Sequence, residues 1–372
     1  MHHGKFGIDE ILITDFKDII SSLDDLNFLY GKKWLITGAN GLLGSYLVLF
    51  LYYLNCITIE EEGKMDITLI LNKGWHKKGS NLQYISMDNH THFIFKDLSK
   101  DFRLNISECD YVIHAASLAD PKQYLNNPMK TIDLNVRATR KLLELSLLKK
   151  AKRFVFFSSG EIYGNPAPSE IPIKENYIPR TNHLNDRSCY VESKRFSETL
   201  ITNFSRQFNL PFSIIRPIHV YGPGLKSSDG RVWADFINSG LVENQINILG
   251  DGKSRRGFCY IKDYLIQLLI ILSKGEPNEI YNIGNDKDTS IEELAIAVKK
   301  SINSTIRINI LNLKLDIYAN SPVVSVPSIS KVRNLQNFSS TDLIEGISRT
   351  VEWVKEYNNK HIILDGNKNC YA

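Results

Sequence analysis

The sequence has no cysteine placed for structural work. Its five cysteines (Cys56, Cys109, Cys189, Cys259 and Cys370) are scattered, with no Cys-x2-Cys pair and no Cys/His cluster. That excludes a zinc ribbon or other metal centre and a disulfide framework, and points to a reducing, cytoplasmic setting. There is no strong charge of either sign: 45 basic and 41 acidic side chains leave a net +4, too slight an excess to argue for nucleic acid. Nor is there a long hydrophobic run. The most apolar stretch, Tyr46 to Leu54, is about half of the roughly 20 residues that a bilayer-spanning helix needs, so no membrane association is expected. The first thirty residues mix Asp, Lys and Glu among apolar positions, unlike a secretory signal. Internal repeats and low-complexity linkers are lacking as well.

What is present is an ordinary globular composition: 372 residues, 43% hydrophobic and 23% charged. This is enough for one large α/β domain with a smaller lobe. Residues 9–30 carry Ile, Leu and Phe at helical spacing and predict an N-terminal helical extension, residues 1–30. Short apolar runs then predict strands at Lys33–Thr37, Asp66–Asn72, Phe93–Phe95, Tyr111–His114, Arg153–Ser158 and Phe212–Arg216. Helical patterns lie between several of them, notably Pro128–Lys150 and Tyr190–Phe208. Such alternation predicts a doubly wound parallel sheet of Rossmann type over residues 31–216, with a return segment near 260–285. A smaller, interleaved C-terminal substrate lobe is expected from 217–259 and 286–372.

Thr37-Gly38-Ala39-Asn40-Gly41-Leu42-Leu43-Gly44 follows the first strand and opens the first helix of the sheet. Glycines there permit a tight turn, close approach of a pyrophosphate and close helix packing, while the helix N-terminus offers amide donors to the anion. The second strand ends in Leu71-Asn72-Lys73, followed by His76, Lys77 and Lys78. No carboxylate waits there for ribose hydroxyls, which argues against NAD at this position and leaves NADP open, although NAD remains the expected cofactor.

Tyr190 and Lys194 are four apart and share one helix face. An ammonium beside a phenol favours the phenolate, which can take a hydroxyl proton while hydride leaves the same carbon. Ser158 and Ser159 end the fifth strand, at the carboxyl edge of the sheet, where ligands bind in such folds.

The glycine turn, His114-Ala115-Ala116, Ser158-Ser159-Gly160-Glu161-Ile162-Tyr163-Gly164, Tyr190-x3-Lys194 and Arg216-Pro217 through Tyr221-Gly222-Pro223 resemble the extended short-chain dehydrogenase/reductases, the NAD-dependent epimerase/dehydratase family. The likeness covers roughly residues 31–350. Segments Arg187–Arg195, Asp229–Val232 and Gly250–Tyr260 are similar to the UDP-glucuronate decarboxylases (UDP-xylose synthases), with nucleotide-sugar 4,6-dehydratases next. The resemblance implies a nucleotide-sugar substrate, most readily a UDP-sugar, a homodimer, and a role in polysaccharide biosynthesis. It implies Tyr190 as base for C4 oxidation, Lys194 lowering its pKa, Ser159 on the C4 oxygen and Glu161 in proton handling. It implies cofactor contacts from Gly38, Asn40, Gly41, Leu42, Leu43, Gly44, Asn72, Lys73, Asp97, Leu98, Ala115, Ala116, Ser117, Asn135, Ser158, Tyr190 and Lys194. Substrate contacts are implied for Ser159, Gly160, Glu161, His219, Arg231 and Arg256.

Two positions depart from the family pattern. Decarboxylases carry Thr-Ser-Glu and dehydratases Thr-Asp-Glu where this chain has Ser159-Gly160-Glu161. The glycine removes the acid that would protonate a departing C6 hydroxyl. His219 stands where relatives place an asparagine. Decarboxylation is the leading expectation, with 4-epimerase, 4,6-dehydratase and 4-ketoreductase as alternatives and a non-catalytic dinucleotide sensor as a remote one.

Overall fold

The structure, a computed structural model, describes residues 9–72, 81–85, 88–179, 181–224, 229–311 and 324–365. The apolar runs β1 (Lys33–Thr37), β2 (Asp66–Leu71), β3 (Thr91–Phe95), β4 (Tyr111–His114), β5 (Arg153–Phe157) and β6 (Phe212–Pro217) pair in parallel. A seventh strand, Glu279–Ile283, joins the β6 edge, and the order across the sheet is Glu279–Ile283, β6, β5, β4, β1, β2, β3. The order reverses beside β1, the switch point at which such sheets open a crevice. The expected strands thus hold to within a residue or two at their ends. The seventh was foreseen only as a return segment, because Glu279-Ile280-Tyr281-Asn282-Ile283 is not a continuous apolar run. Its buried Asn282 instead bonds Tyr163 and the Ile173 carbonyl.

Alternate residues of the strands feed two cores. Trp34, Ile36, Ile67, Leu69 and Ile113 pack with α2 (Leu42–Ile57) and the helix Ile261–Lys274. Leu35, Val112, Phe154, Phe156 and Ile214 pack with the helices Ala138–Leu148 and Ser188–Phe208. The Ser188–Phe208 helix buries Tyr190, Ser193, Lys194, Ser197, Glu198, Ile201 and Phe204, one stripe at a helical period.

Among its described residues the N-terminal segment is helical as α1 (Glu10–Ser22), not through residue 30. The Asp25 carboxylate bonds the Asn27 amide at 2.7 Å, a local bond that competes with helix continuation. Buried Asp15 holds α1 in place, accepting from Tyr46 of α2 at 2.8 Å, from Tyr260 at 2.7 Å and from Arg349 of the helix Leu343–Asp365. Among the described residues no helix is long and apolar enough to cross a membrane.

Candidate active site

The carboxyl ends of β1, β4, β5 and β6 surround a cavity of about 510 Å³. Gly38, Gly41, Leu42, Leu43, Gly44, Ala115, Ser117, Ser158, Ser159, Gly160, Glu161, Tyr190, Lys194, His219, Arg231 and Arg256 all line it. The fold therefore gathers residues that are more than 200 positions apart in the sequence (Gly38 and Arg256).

Sixteen of the expected site residues meet here, and others stand back from the wall. Asn135 is fully buried on a π-helical turn (Asp133–Arg137), where its side chain accepts from Ser117 and donates to Ser193, each at 2.8 Å. It thus holds the cavity residue Ser117 from behind. Leu98 buries its side chain in the core, Ala116 packs beside it, and the Asp97 carboxylate accepts from the Ser99 amide at 3.0 Å. Asn72 is exposed just past β2. Asn40 lies in the glycine turn but off the cavity wall. Lys73, His76, Lys77 and Lys78 fall outside the described residues.

Around Tyr190 the electrostatics are not those expected. Burial raises the phenol pKa, the charge of Glu161 adds to this, and the Ser159 hydroxyl with the cations Arg231 and Arg187 opposes it. Lys194, expected to supply the lowering, is itself buried. Its ammonium donates to the Phe157 carbonyl at 2.6 Å and lies 5.9 Å from the Tyr190 ring. Burial lowers its own pKa to about 7, against a smaller upward pull from Glu198. An ammonium without water around it is costly, so the lysine sheds its proton readily.

Glu161 is held by Arg187 at 2.9 Å, and the Arg187 guanidinium lies 5.9 Å over the Tyr124 ring. Arg231 is gripped by Asp229 at 2.7 Å and lies 4.9 Å over Trp233. Arg256 donates to the Arg255 carbonyl at 2.8 Å, and burial lowers its pKa to about 10. Between these arginines His219 has a positive φ of 46°, and its buried Nε2 has no partner among the described residues. Burial first, then Arg256 and Arg231, lower its pKa to about 3. The ring is neutral at pH 7, an uncharged member of a cationic wall.

Residues 34–284 match the NAD dependent epimerase/dehydratase family. UDP-glucuronic acid decarboxylase 1 of Arabidopsis thaliana is 31% identical over 86% of this chain and 70% of its own length. UDP-glucuronic acid decarboxylase 3 of the same plant is 32% identical over 81% of this chain and 82% of its own. The chain belongs to the NAD dependent epimerase/dehydratase family. The UDP-glucuronic acid 4-epimerase of Bacillus cereus, solved with UDP-glucuronic acid and NAD, superposes with a TM-score of 0.71 at 24% identity, covering 87% of this chain and 99% of that one. This epimerase/dehydratase is therefore an NAD-dependent enzyme with the family's fold.

Its own residues fit a dinucleotide. Gly38 has a φ of +71°, and a Cβ there would fall 2.5 Å from the Ala116 nitrogen. A Cβ on Gly44 would fall 3.0 Å from the Gly38 carbonyl carbon. The turn is thus a bare-backbone cradle, and Gly41, the N-cap of α2, has no side chain to occupy the helix end. Beside it the buried Ser158 hydroxyl has no partner among the described residues, a polar atom placed for a ligand.

Arg187, Ala119, Trp233, Ile218 and Ser325 also line the cavity and were not expected there. Arg187 was within reach, since it lies one turn ahead of Tyr190. Ser325 was not, because only the small sheet formed with Arg255–Arg256 and Thr289–Ser290 brings it to the cavity.

Proposed function

We propose that this enzyme converts UDP-glucuronate to UDP-xylose and CO2 by transient oxidation at C4. The observation that carries the reading is that Ser159 and Tyr190 line one cavity, walled on another side by the Gly38–Gly44 turn. A base, a hydroxyl donor and a dinucleotide cradle thus face one space. The relatives named above support the choice of substrate.

NAD, when bound, supplies a hydride acceptor at C4 and returns the hydride at the end. Tyr190 takes the C4 hydroxyl proton, and Ser159 donates to the C4 oxygen. The resulting 4-ketone makes the C6 carboxylate a β-keto acid. The C5–C6 bond then breaks, CO2 leaves, and the electron pair passes to the C4 oxygen as an enolate that the Ser159 and Tyr190 hydroxyls stabilise. Glu161, oriented by Arg187, handles the proton delivered to C5, and Tyr190 returns its proton to the C4 oxygen. Gly38, Gly41 and Gly44 hold the pyrophosphate of the cofactor. Arg231, Arg256 and His219 bind the diphosphate of the substrate.

Incubation with UDP-glucuronate, read by mass spectrometry and 13CO2 release, tests this. UDP-xylose with stoichiometric CO2 is expected. UDP-galacturonate without CO2 overturns it in favour of 4-epimerisation.

The enzyme acts as a homodimer in this reading. The Ala138–Leu148 and Ser188–Phe208 helices leave Leu147, Leu148, Phe196 and Phe208 exposed, an apolar face suited to a second copy. Light scattering at micromolar concentration checks it, and monomer alone overturns it. A cytoplasmic location suits the unpaired thiols of Cys56, Cys109, Cys189 and Cys259.

A further inference from the structure

Gly160 lies between Ser159 and Glu161 in the cavity wall, and Ile218 lies across from it in the same wall. The volume a side chain at 160 would need is already filled. A Cβ there would sit inside the van der Waals radius of Ile218 Cγ1, 3.1 Å from its Cδ1 and 3.3 Å from its Cβ. Ile218 has little freedom to give way. It is β-branched and stiff at χ1, only 3% exposed, and packed with Ile162, Tyr163 and Ile173. Its amide donates to the Ile283 carbonyl at 2.9 Å. No hydroxyl or carboxyl therefore fits at 160 while Ile218 stays.

We propose that Gly160 and Ile218 form one specificity-determining pair, an apolar wall against the C5–C6 end of the sugar that selects a leaving carboxylate over a leaving hydroxyl. This rests on the decarboxylase reading. A C6 hydroxyl departs only if its oxygen is protonated, and an isoleucine methyl gives no proton. A C6 carboxylate needs no acid. Against hydrocarbon its charge is poorly solvated, and cleavage of the C5–C6 bond relieves this by releasing neutral CO2. The electron pair moves through C5 to the C4 oxygen, where the Ser159 and Tyr190 hydroxyls receive the charge. The wall thus penalises charge where it starts and leaves untouched the donors where it ends.

Ile218→Val and Ile218→Thr provide the test, being matched in shape and different in polarity. CO2 release from UDP-glucuronate is expected to have a kcat about tenfold or more lower in the threonine variant than in the valine variant, with KM alike. Mass spectrometry is expected to find more retained 4-keto acid per CO2 in the threonine variant. Equal kcat and equal product ratios in the two variants overturn the proposal while leaving the decarboxylase reading intact. No CO2 from the wild-type enzyme overturns both. The steric half is read independently by melting: Gly160→Ser is expected to melt below wild type, and adding Ile218→Ala to raise it again. If the second substitution lowers the melting point further, the two residues are not a pair.

Discussion

Tyr124 lies flat against Tyr190, with ring centroids 5.0 Å apart and planes 11° from parallel. Tyr124 is fully buried, and its hydroxyl has no partner among the described residues. The ring, rather than the hydroxyl, is what fixes the orientation of Tyr190. Tyr124→Leu is expected to lower kcat by up to about tenfold, the worth of an aromatic pair, and Tyr124→Phe to restore most of it. Steady-state kinetics check this; equal losses in the two variants would point to the hydroxyl instead.

Tyr190→Phe removes the proposed base while keeping the stacked ring. A loss in kcat of about 10²- to 10⁴-fold is expected, with nucleotide binding and melting temperature near wild type. Turnover at the wild-type rate would make the protein's chemistry independent of this phenol.

Lys194 has a folded-state pKa lowered to about 7 by burial. The unfolded chain, with an ordinary lysine, binds the proton more tightly between that value and about 10.4. The group therefore costs stability in full below pH 7, and the cost fades as pH rises through this window. Lys194→Met is expected to be inactive, and its melting advantage over wild type to be largest at or below neutral pH and to shrink toward pH 10. Thermal melts across pH 6 to 10, compared between the two proteins, decide it; a constant difference would mean the ammonium is not desolvated.

His219 and His114 both have pKa values lowered to about 3, chiefly by burial. Below about pH 6.5 the unfolded chain takes up protons that the folded one refuses, so stability falls as pH drops toward 3. His219→Asn is expected to flatten part of that fall, and His114 to account for another part. Chemical denaturation at pH 4 and pH 7 measures the difference.

Asp15 binds α1 to three other elements through Tyr46, Tyr260 and Arg349. Asp15→Ala strands two buried phenols, while Arg349 keeps Asp18 at 3.1 Å and Glu345 at 2.8 Å; a loss of about 2–4 kcal/mol is expected. Urea unfolding reads it directly, and a loss below about 1 kcal/mol would mean that α1 is held by its apolar face alone.

The strands were legible because a buried parallel sheet demands apolar runs, and Lys33–Thr37 and Arg153–Phe157 are such runs. The glycine turn was legible because its backbone must do what only glycine allows. The Glu279–Ile283 strand was not, since Asn282 is buried by satisfying its amide, which no hydropathy pattern records. Position 160 was seen as a missing acid, but its blockage by Ile218 depends on how β5 and β6 lie side by side.

Local chemistry alone determined the sheet, the dinucleotide turn and the Tyr190–Lys194 face, because each is a matter of residue type at short spacing. The charge states of that face, the Arg187 hold on Glu161 and the closing of position 160 were decided only by tertiary packing. Desolvation and van der Waals contact depend on which distant segments come to surround a group, and nothing in its sequence neighbours reports that.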